Sequence, residues 1–91
     1  MSILVSINCI TFNQEEFIAD AIESFLMQKT NFEFEILIGE DCSTDNTRKI
    51  VEEYVNKYPN KIRLITSDKN VGATLNLELV RENSIGKYIA I

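Results

Sequence analysis

The hydrophobic positions of the chain follow two different spacings. Short β-branched runs at Ile3–Ile7 and Phe34–Ile38 are typical of strands that are buried on both faces. The segment Lys61–Ser67 alternates apolar and polar residues, and Lys87–Ile91 is again largely apolar. We therefore predict four strands, one at each of these segments.

Between the strands, apolar residues recur at the spacings of a helix face. The stripe of the first predicted helix consists of Phe17, Ile18, Ala21, Ile22, Phe25 and Leu26. The stripe of the second consists of Ile50, Val51, Tyr54, Val55 and Tyr58. Pro59 follows that stripe and predicts the end of the helix. A third helix is predicted over Ala73–Glu82, with three residues facing inward: Leu75, Leu79 and Val80.

Two helix ends carry capping signals. Asn13 is predicted to cap the N-terminus of the first helix, because Glu16 three residues later completes a capping-box pattern. Gly86, after the third helix, is predicted to adopt a left-handed conformation that closes it.

The order of the elements, β-α-β-α-β-α-β, predicts the fold class. A helix between two strands acts as a right-handed crossover, which makes the strands parallel and covers both faces of the sheet. We therefore predict an α/β fold with a doubly wound, mainly parallel sheet. Because the chain ends inside an apolar strand, we expect residues 1–91 to be an incomplete domain.

Composition narrows the possible chemistry. The 91 residues carry a formal net charge of −5, which disfavours binding to the phosphates of nucleic acid. There is no histidine, so Ser-His-Asp and Cys-His nucleophile systems are excluded. Cys9 and Cys42 fit no zinc motif and are predicted to be reduced thiols. We expect a cytoplasmic protein, in which any contact with the inner face of a membrane is made by regions outside this chain.

Polar residues follow the predicted strands at the edge of the sheet where ligands of parallel α/β proteins bind. The candidate binding residues are Thr11, Phe12, Asn13, Glu40, Asp41, Asn70 and Gly72. An aromatic ring such as Phe12 suits a flat heterocycle, and a carboxylate such as Asp41 accepts hydrogen bonds from a ring N–H or from ribose hydroxyls. Neither a glycine-rich dinucleotide fingerprint nor a P-loop is present.

Each of these residues also has a purely structural interpretation. Phe12 could pack against the edge of the sheet, and acidic residues such as Glu40, Asp41 and Asp45 could simply favour the N-terminus of the second helix. For Asp45 we expect only that structural role. Asn70 and Gly72 could form a tight turn without contacting a ligand.

Four segments taken together resemble a known family. These are Val5–Asn13, Ile36–Asp45, Asn70–Gly72 and Gly86–Ala90, and in this order they resemble the N-terminal part of the family 2 glycosyltransferases. The resemblance implies a GT-A fold of the Rossmann-like type. It also implies transfer of a sugar, commonly from a UDP-sugar, with inversion at the anomeric carbon.

The resemblance also implies roles for individual residues. Phe12 matches the aromatic residue that lies against the base, while Glu40 and Asp41 match an acidic pair whose second member hydrogen-bonds the uracil ring. The remaining matches are Thr11 and Asn13, which line the same pocket, and Asn70 and Gly72, which lie in a loop near the nucleotide. No catalytic residue and no metal ligand is matched within this chain.

For the parent protein, the resemblance implies Mg²⁺ or Mn²⁺ as cofactor and a catalytic base further along, both outside these residues. The donor would be a nucleotide-sugar and the acceptor a saccharide or a lipid-linked molecule. The fragment alone is then expected to be inactive. Two other hypotheses remain open: a non-catalytic nucleotide-binding or scaffold domain, and a stand-alone flavodoxin-like signalling domain. An exposed fourth strand would let a fragment of this kind pair with a second copy.

Overall fold

The computed structural model describes residues 3–90 and contains four strands and three helices. In chain order they are β1 (Val5–Thr11), α1 (Ile18–Leu26), β2 (Phe34–Glu40), α2 (Thr47–Lys57), β3 (Ile62–Thr66), α3 (Ala73–Glu82) and β4 (Tyr88–Ala90). The longest helix, α2, has 11 residues, and no helix within the described range is long and apolar enough to cross a membrane.

The four strands form one parallel sheet in the order β3-β2-β1-β4. The chain first winds outward from β1 to β3 and then crosses back so that β4 lies on the other side of β1. The order therefore reverses at β1, which is the switch point where open α/β sheets bind ligands. This confirms the predicted doubly wound sheet. It differs from the flavodoxin-like order, in which the third strand follows the first.

One face of the sheet carries the apolar core. Helices α1 and α2 pack together over this face, and β2 is buried along its whole length, as predicted for that strand. The buried residues of the core are Ile18, Ile22, Phe34, Ile36, Ile38, Val51 and Ile62. The register aligns Ile7, Ile36 and Ile62 across three strands, so this face is continuous.

The other face is covered by α3 and is partly polar. The buried carboxylate of Glu35 accepts hydrogen bonds from the Ser6 hydroxyl at 2.5 Å, the Ile85 N–H at 2.9 Å and the Arg63 guanidinium at 3.0 Å. Burial by itself would raise the pKa of the Glu35 carboxyl, but these hydrogen bonds and the charge of Arg63 outweigh it and leave the pKa below its usual range.

The predicted boundaries need two corrections at the start of the chain. Strand β1 begins at Val5 rather than Ile3 and continues to Thr11, because it pairs with β2 along its whole length. The predicted capping box at Asn13 is wrong, since α1 begins at Ile18 without a side-chain cap. The side chain of Asn13 instead accepts the N–H of Thr44 from the loop after β2.

The third helix has the predicted bounds, but its inward face differs. Leu75 is 45% exposed, so its inward assignment is wrong, and Asn76 is buried with Val80 one turn further on. Gly86 does not adopt a left-handed conformation, since Gly72 is the only glycine with a positive φ in the described range. A side chain at Gly86 would instead collide with the backbone of Ser6.

The remaining predicted boundaries shift by a residue or two. β3 occupies Ile62–Thr66 within the predicted Lys61–Ser67, and β4 occupies Tyr88–Ala90, while Ile91 lies outside the described residues. Helix α2 ends at Lys57, two residues before Pro59, as expected from a proline at that position.

Candidate functional site

A groove of about 420 Å³ opens at the carboxyl edge of the sheet, between the end of β1 and the start of α3. We call it the edge groove. It brings together five of the seven residues that the sequence singled out: Thr11, Phe12, Asp41, Asn70 and Gly72. Three separate loops supply these residues, and the groove lies at the switch point of the sheet.

Phe12 and Thr11 form the side of the groove that belongs to β1. Phe12 is 43% exposed and lines the groove, so part of its ring is accessible to a ligand there. Thr11 is buried, and its hydroxyl donates to Oε1 of Gln14 at 2.8 Å. This contact orients the Gln14 side chain, which also lines the groove.

Asp41 joins the back of the groove to the loop before α3. Its side chain is buried, and its two carboxylate oxygens accept the N–H groups of Val71 at 2.7 Å and Gly72 at 2.9 Å. The amide of Asn70 donates to the carbonyl oxygen of Asp41 at 3.2 Å. Gly72 has φ 90°, a backbone conformation that residues with a Cβ atom rarely adopt. The loop therefore needs glycine at this position.

Glu40 does not line the edge groove. Because side chains alternate along a strand, Glu40 points to the opposite face of the sheet from Asp41. It is fully buried, accepts the Ser43 N–H at 2.7 Å and pairs with Arg48 Nε at 2.8 Å. The hydrogen bond from Arg48 to Glu40 raises the pKa of the arginine above its usual range. Glu40 therefore holds the start of α2 against the end of β2.

Asn13 also lies outside the groove and connects two loops behind it. Its Oδ1 accepts the Thr44 N–H at 2.8 Å, and its own N–H donates to Ser43 Oγ at 2.9 Å. The next residue, Gln14, donates its N–H to Thr47 Oγ1 at 2.8 Å. These bonds hold the loop that carries Phe12 against the start of α2.

Asp45 has the structural role expected for it. One carboxylate oxygen accepts the N–H and the hydroxyl of Thr47 in the first turn of α2, and the other accepts the N–H of Glu15 at 3.2 Å. Desolvation by itself would raise the pKa of Asp45, but the hydrogen bonds from Thr47 and from the backbone N–H of Glu15 outweigh it, so the pKa lies below its usual range.

Four further residues line the groove without having been singled out in the sequence: Ile10, Gln14, Ala73 and Asn76. The first two flank the Thr11-Phe12 pair, and their proximity in sequence was the available signal. The sequence signal for Asn76 was weaker: it lies four positions before Val80, so it shares the inward face of the same helix.

The described residues do not form a metal site. In residues 3–90, no three Asp, Glu or Cys side chains come together as ligands. The acidic pair is unsuited to a cation, because Glu40 is bonded to Arg48 and both oxygens of Asp41 face backbone N–H groups.

Comparison with known proteins agrees with this architecture. The family model described as glycosyl transferase family 2 matches residues 6–91. The chain belongs to glycosyl transferase family 2. Among relatives in this family, the uncharacterised protein Rv1520 of Mycobacterium tuberculosis is 39% identical over 87 residues. The putative teichuronic acid biosynthesis glycosyltransferase TuaG of Bacillus subtilis is 33% identical over 87 residues.

Solved structures share the fold. TarS 1-349 of S. aureus, in a crystal structure with UDP, matches 96% of this chain with a TM-score of 0.83 and 28% identity. The mannosyltransferase PcManGT of Pyrobaculum calidifontis, solved with GDP-Man and Mn²⁺, matches 92% of the chain with a TM-score of 0.78. At 17% identity, the second likeness concerns the fold alone.

The matches cover almost all of this chain but only part of each relative. The chain spans 25% of Rv1520, 34% of TuaG and 26% of the TarS structure. The edge groove is thus part of a family 2 glycosyltransferase fold, in its N-terminal half.

Proposed function

We propose that this chain is the donor-binding half of an inverting glycosyltransferase, which transfers a sugar from a UDP-sugar to a hydroxyl of a saccharide or a lipid-linked acceptor. The observation that carries the proposal is the edge groove, where Phe12 and Asp41 approach one cavity at the switch point of a family 2 fold. The likeness to TarS 1-349 in complex with UDP supports uridine as the nucleoside.

The residues of the groove have different roles in binding the nucleotide. Phe12 stacks on the base with the exposed part of its ring, and Asp41, whose N–H donates to the Thr11 carbonyl oxygen at 3.0 Å, lies beside Thr11 and contacts the nucleoside. The loop with Asn70 and Gly72 closes the groove beside the nucleotide, because Asp41 holds that loop by two hydrogen bonds. Glu40 and Asn13 support the groove from behind rather than contacting the ligand.

The chemistry of transfer depends on residues outside this chain. Mg²⁺ or Mn²⁺, held by those residues, would neutralise the diphosphate leaving group. A carboxylate base, also outside, would deprotonate the acceptor hydroxyl for a single displacement, which inverts the anomeric carbon. The 91 residues alone are therefore inactive in transfer.

The fragment by itself also has a surface for self-association. β4 is the edge strand of the sheet, and its residues Tyr88 and Ile89 are 57% and 42% exposed. An exposed apolar edge strand favours pairing with a second sheet edge. In the longer enzyme, further residues would cover this edge.

Binding of UDP to the full-length protein tests the proposed site. Removing a stacking ring costs about 1–3 kcal/mol per base, so Phe12→Ala should weaken UDP binding by about 5- to 150-fold in calorimetric titration with Mn²⁺. Phe32→Ala is the matched control, because Phe32 is 39% exposed and precedes β2 at the opposite edge of the sheet. Its binding should equal that of the wild type.

The outcomes separate the proposal from its rivals. Equal UDP affinity in wild type and Phe12→Ala would remove the assigned pocket. Binding of UDP without turnover of any UDP-sugar by the full-length protein would favour a nucleotide-binding scaffold. If transfer occurs, NMR of the product gives the anomeric configuration, and retention would overturn the inverting mechanism.

A further inference from the structure

The edge of the sheet where the strands begin is basic, although the whole chain carries a formal charge of −5. We call it the amino edge; it comprises residues 27–33, 57–61 and 81–87, which are loops and helix ends. Its basic residues are Lys29, Lys57, Lys61, Arg81 and Lys87, and its acidic residues are Glu33 and Glu82. The charges of the chain are therefore unevenly distributed along the strand direction.

Three of these lysines and two apolar side chains form one surface. Lys29, Phe32 and Lys61 line a cavity of about 560 Å³ before the start of β2. Lys57 ends α2 and lies one tight turn before Lys61. Met27, at the start of the loop that carries Lys29, is 75% exposed, and Phe32 is 39% exposed. We call these five residues the amino-edge surface.

The lysines of this surface can receive an anionic partner. The Nζ of Lys61 lies 3.9 Å from the centre of the Phe34 ring and donates to the Phe34 carbonyl oxygen at 3.3 Å. An ammonium group has three N–H donors, so this contact holds the side chain and leaves two donors available. Within residues 3–90, neither Lys29 nor Lys57 forms an ion pair.

The acidic residues of the chain do not cancel this charge locally. The exposed acids Glu15, Glu16 and Asp68 lie at the carboxyl edge, about 20 Å away along the seven residues of β1. Exposed charges are largely screened from one another beyond about 8 Å at physiological ionic strength. Glu33 lines the cavity itself, but it is one carboxylate beside two lysines. A negative surface that approaches the amino edge therefore meets mainly lysine charge.

We propose that the amino-edge surface binds a membrane surface that contains anionic lipids. The lysines attract the lipid phosphates, while Met27 and Phe32 enter the boundary between headgroups and acyl chains. This combination matches a lipid surface, because a soluble polyanion would engage the lysines and leave both apolar side chains in water. The edge groove lies at the opposite edge of the sheet and stays accessible to its ligand.

Sedimentation with vesicles tests this surface in the full-length protein. The vesicles contain phosphatidylcholine alone, or phosphatidylcholine with about one third phosphatidylglycerol as the anionic lipid. Lys29→Gln/Lys57→Gln is compared with Lys49→Gln/Lys69→Gln, which removes the same charge from exposed positions near the carboxyl edge. Each lysine near an anionic surface contributes about fivefold, so the first pair should weaken binding to anionic vesicles about 25-fold. The control pair should bind like the wild type.

A second comparison tests the apolar part of the surface. Met27→Ser should weaken vesicle binding about tenfold, because withdrawal of a methionine side chain from water contributes about that factor. Leu75→Ser is the control, since Leu75 is 45% exposed at the start of α3, near the carboxyl edge. Added salt should reduce the effect of the lysine pair but not that of Met27→Ser, because salt screens only the charges.

Several results would overturn the inference. They are a wild type that does not bind anionic vesicles or binds pure phosphatidylcholine equally well, equal losses in the two lysine pairs, and unchanged binding of Met27→Ser. Retention on heparin without vesicle binding would also overturn it, by assigning the lysines to a soluble polyanion. Lys29→Gln/Lys57→Gln should bind UDP like the wild type. Failure of the proposed function, in which the wild type does not bind UDP, is thus distinguishable from a failure to bind vesicles.

Discussion

Asp41 and Gly72, which are 31 residues apart in the chain, are joined by a hydrogen bond of 2.9 Å from the Gly72 N–H to Asp41 Oδ2. The other carboxylate oxygen accepts the N–H of Val71 at 2.7 Å. One side chain at the end of β2 thus fixes the loop between β3 and α3. The part of the edge groove that this loop forms therefore depends on Asp41.

Asp41→Asn should loosen that loop. The amide keeps the size of the carboxylate but turns one acceptor into a donor facing a backbone N–H, which costs about 1–3 kcal/mol when the group is buried. We expect faster hydrogen exchange at the amides of Val71 and Gly72 by NMR, and weaker UDP binding. Asp68→Asn, an exposed acid in the same loop, is the control. Unchanged exchange at both amides would contradict the assigned role.

Gly72→Ala should destabilise the fold without any steric clash. The added methyl group meets no atom within 4 Å, but φ 90° and ψ 160° form a backbone conformation that is essentially restricted to glycine. The strain should lower the free energy of unfolding by about 1–3 kcal/mol in urea denaturation. Lys69→Ala, at an exposed position in the same loop, should leave it unchanged. Equal stability of Gly72→Ala and wild type would show that the loop relaxes freely.

Glu35 should make stability depend on acid pH. Its folded pKa lies below the ordinary value of 4.5, so its carboxylate contributes stability above that value and loses the contribution as pH falls through the folded pKa. Glu35→Gln should therefore be less stable than wild type near neutral pH, and the difference should shrink in acid. Urea unfolding at a series of pH values measures it, with the exposed Glu52→Gln as control. A difference independent of pH would contradict the assignment.

The edge strand β4 should control self-association of the fragment. The N–H of Tyr88 donates to Leu4 O, so the backbone groups of Ile89 point to the free edge. Ile89→Lys should shift a self-associating fragment toward monomer in sedimentation velocity, because charges on an edge strand oppose pairing. Leu75→Lys, at an exposed apolar position on α3 of similar exposure, should not. A monomer at all concentrations for the unmodified fragment would reject this surface.

The elements could be predicted from local patterns, whereas their ends could not. The periods of the apolar residues predicted every helix and strand, since burial of one face imposes its spacing on a few consecutive residues. The start of α1 was misjudged because the pattern at Asn13 and Glu16 suggests a cap. In the fold, Asn13 finds partners in Ser43 and Thr44, from the loop after β2.

The edge groove was also predicted only in part. Residues that directly follow strands of a parallel sheet meet at one edge, so Phe12, Asp41 and Gly72 could be placed there from their order alone. Whether a side chain at that edge faces the groove depends on the pleat and on packing. This dependence separates Glu40 from Asp41, although the two are adjacent in the chain.

Order along the chain was enough to establish a parallel, doubly wound sheet with polar loops at its ligand-binding edge, because spacing and crossover handedness are short-range constraints. The hydrogen-bond partners of the polar groups, in contrast, were decided only by the tertiary structure. Asn76 reaches the groove only because Gly39, 37 residues earlier, has no side chain to keep α3 away. Contacts of this kind depend on distances between elements, which no local pattern contains.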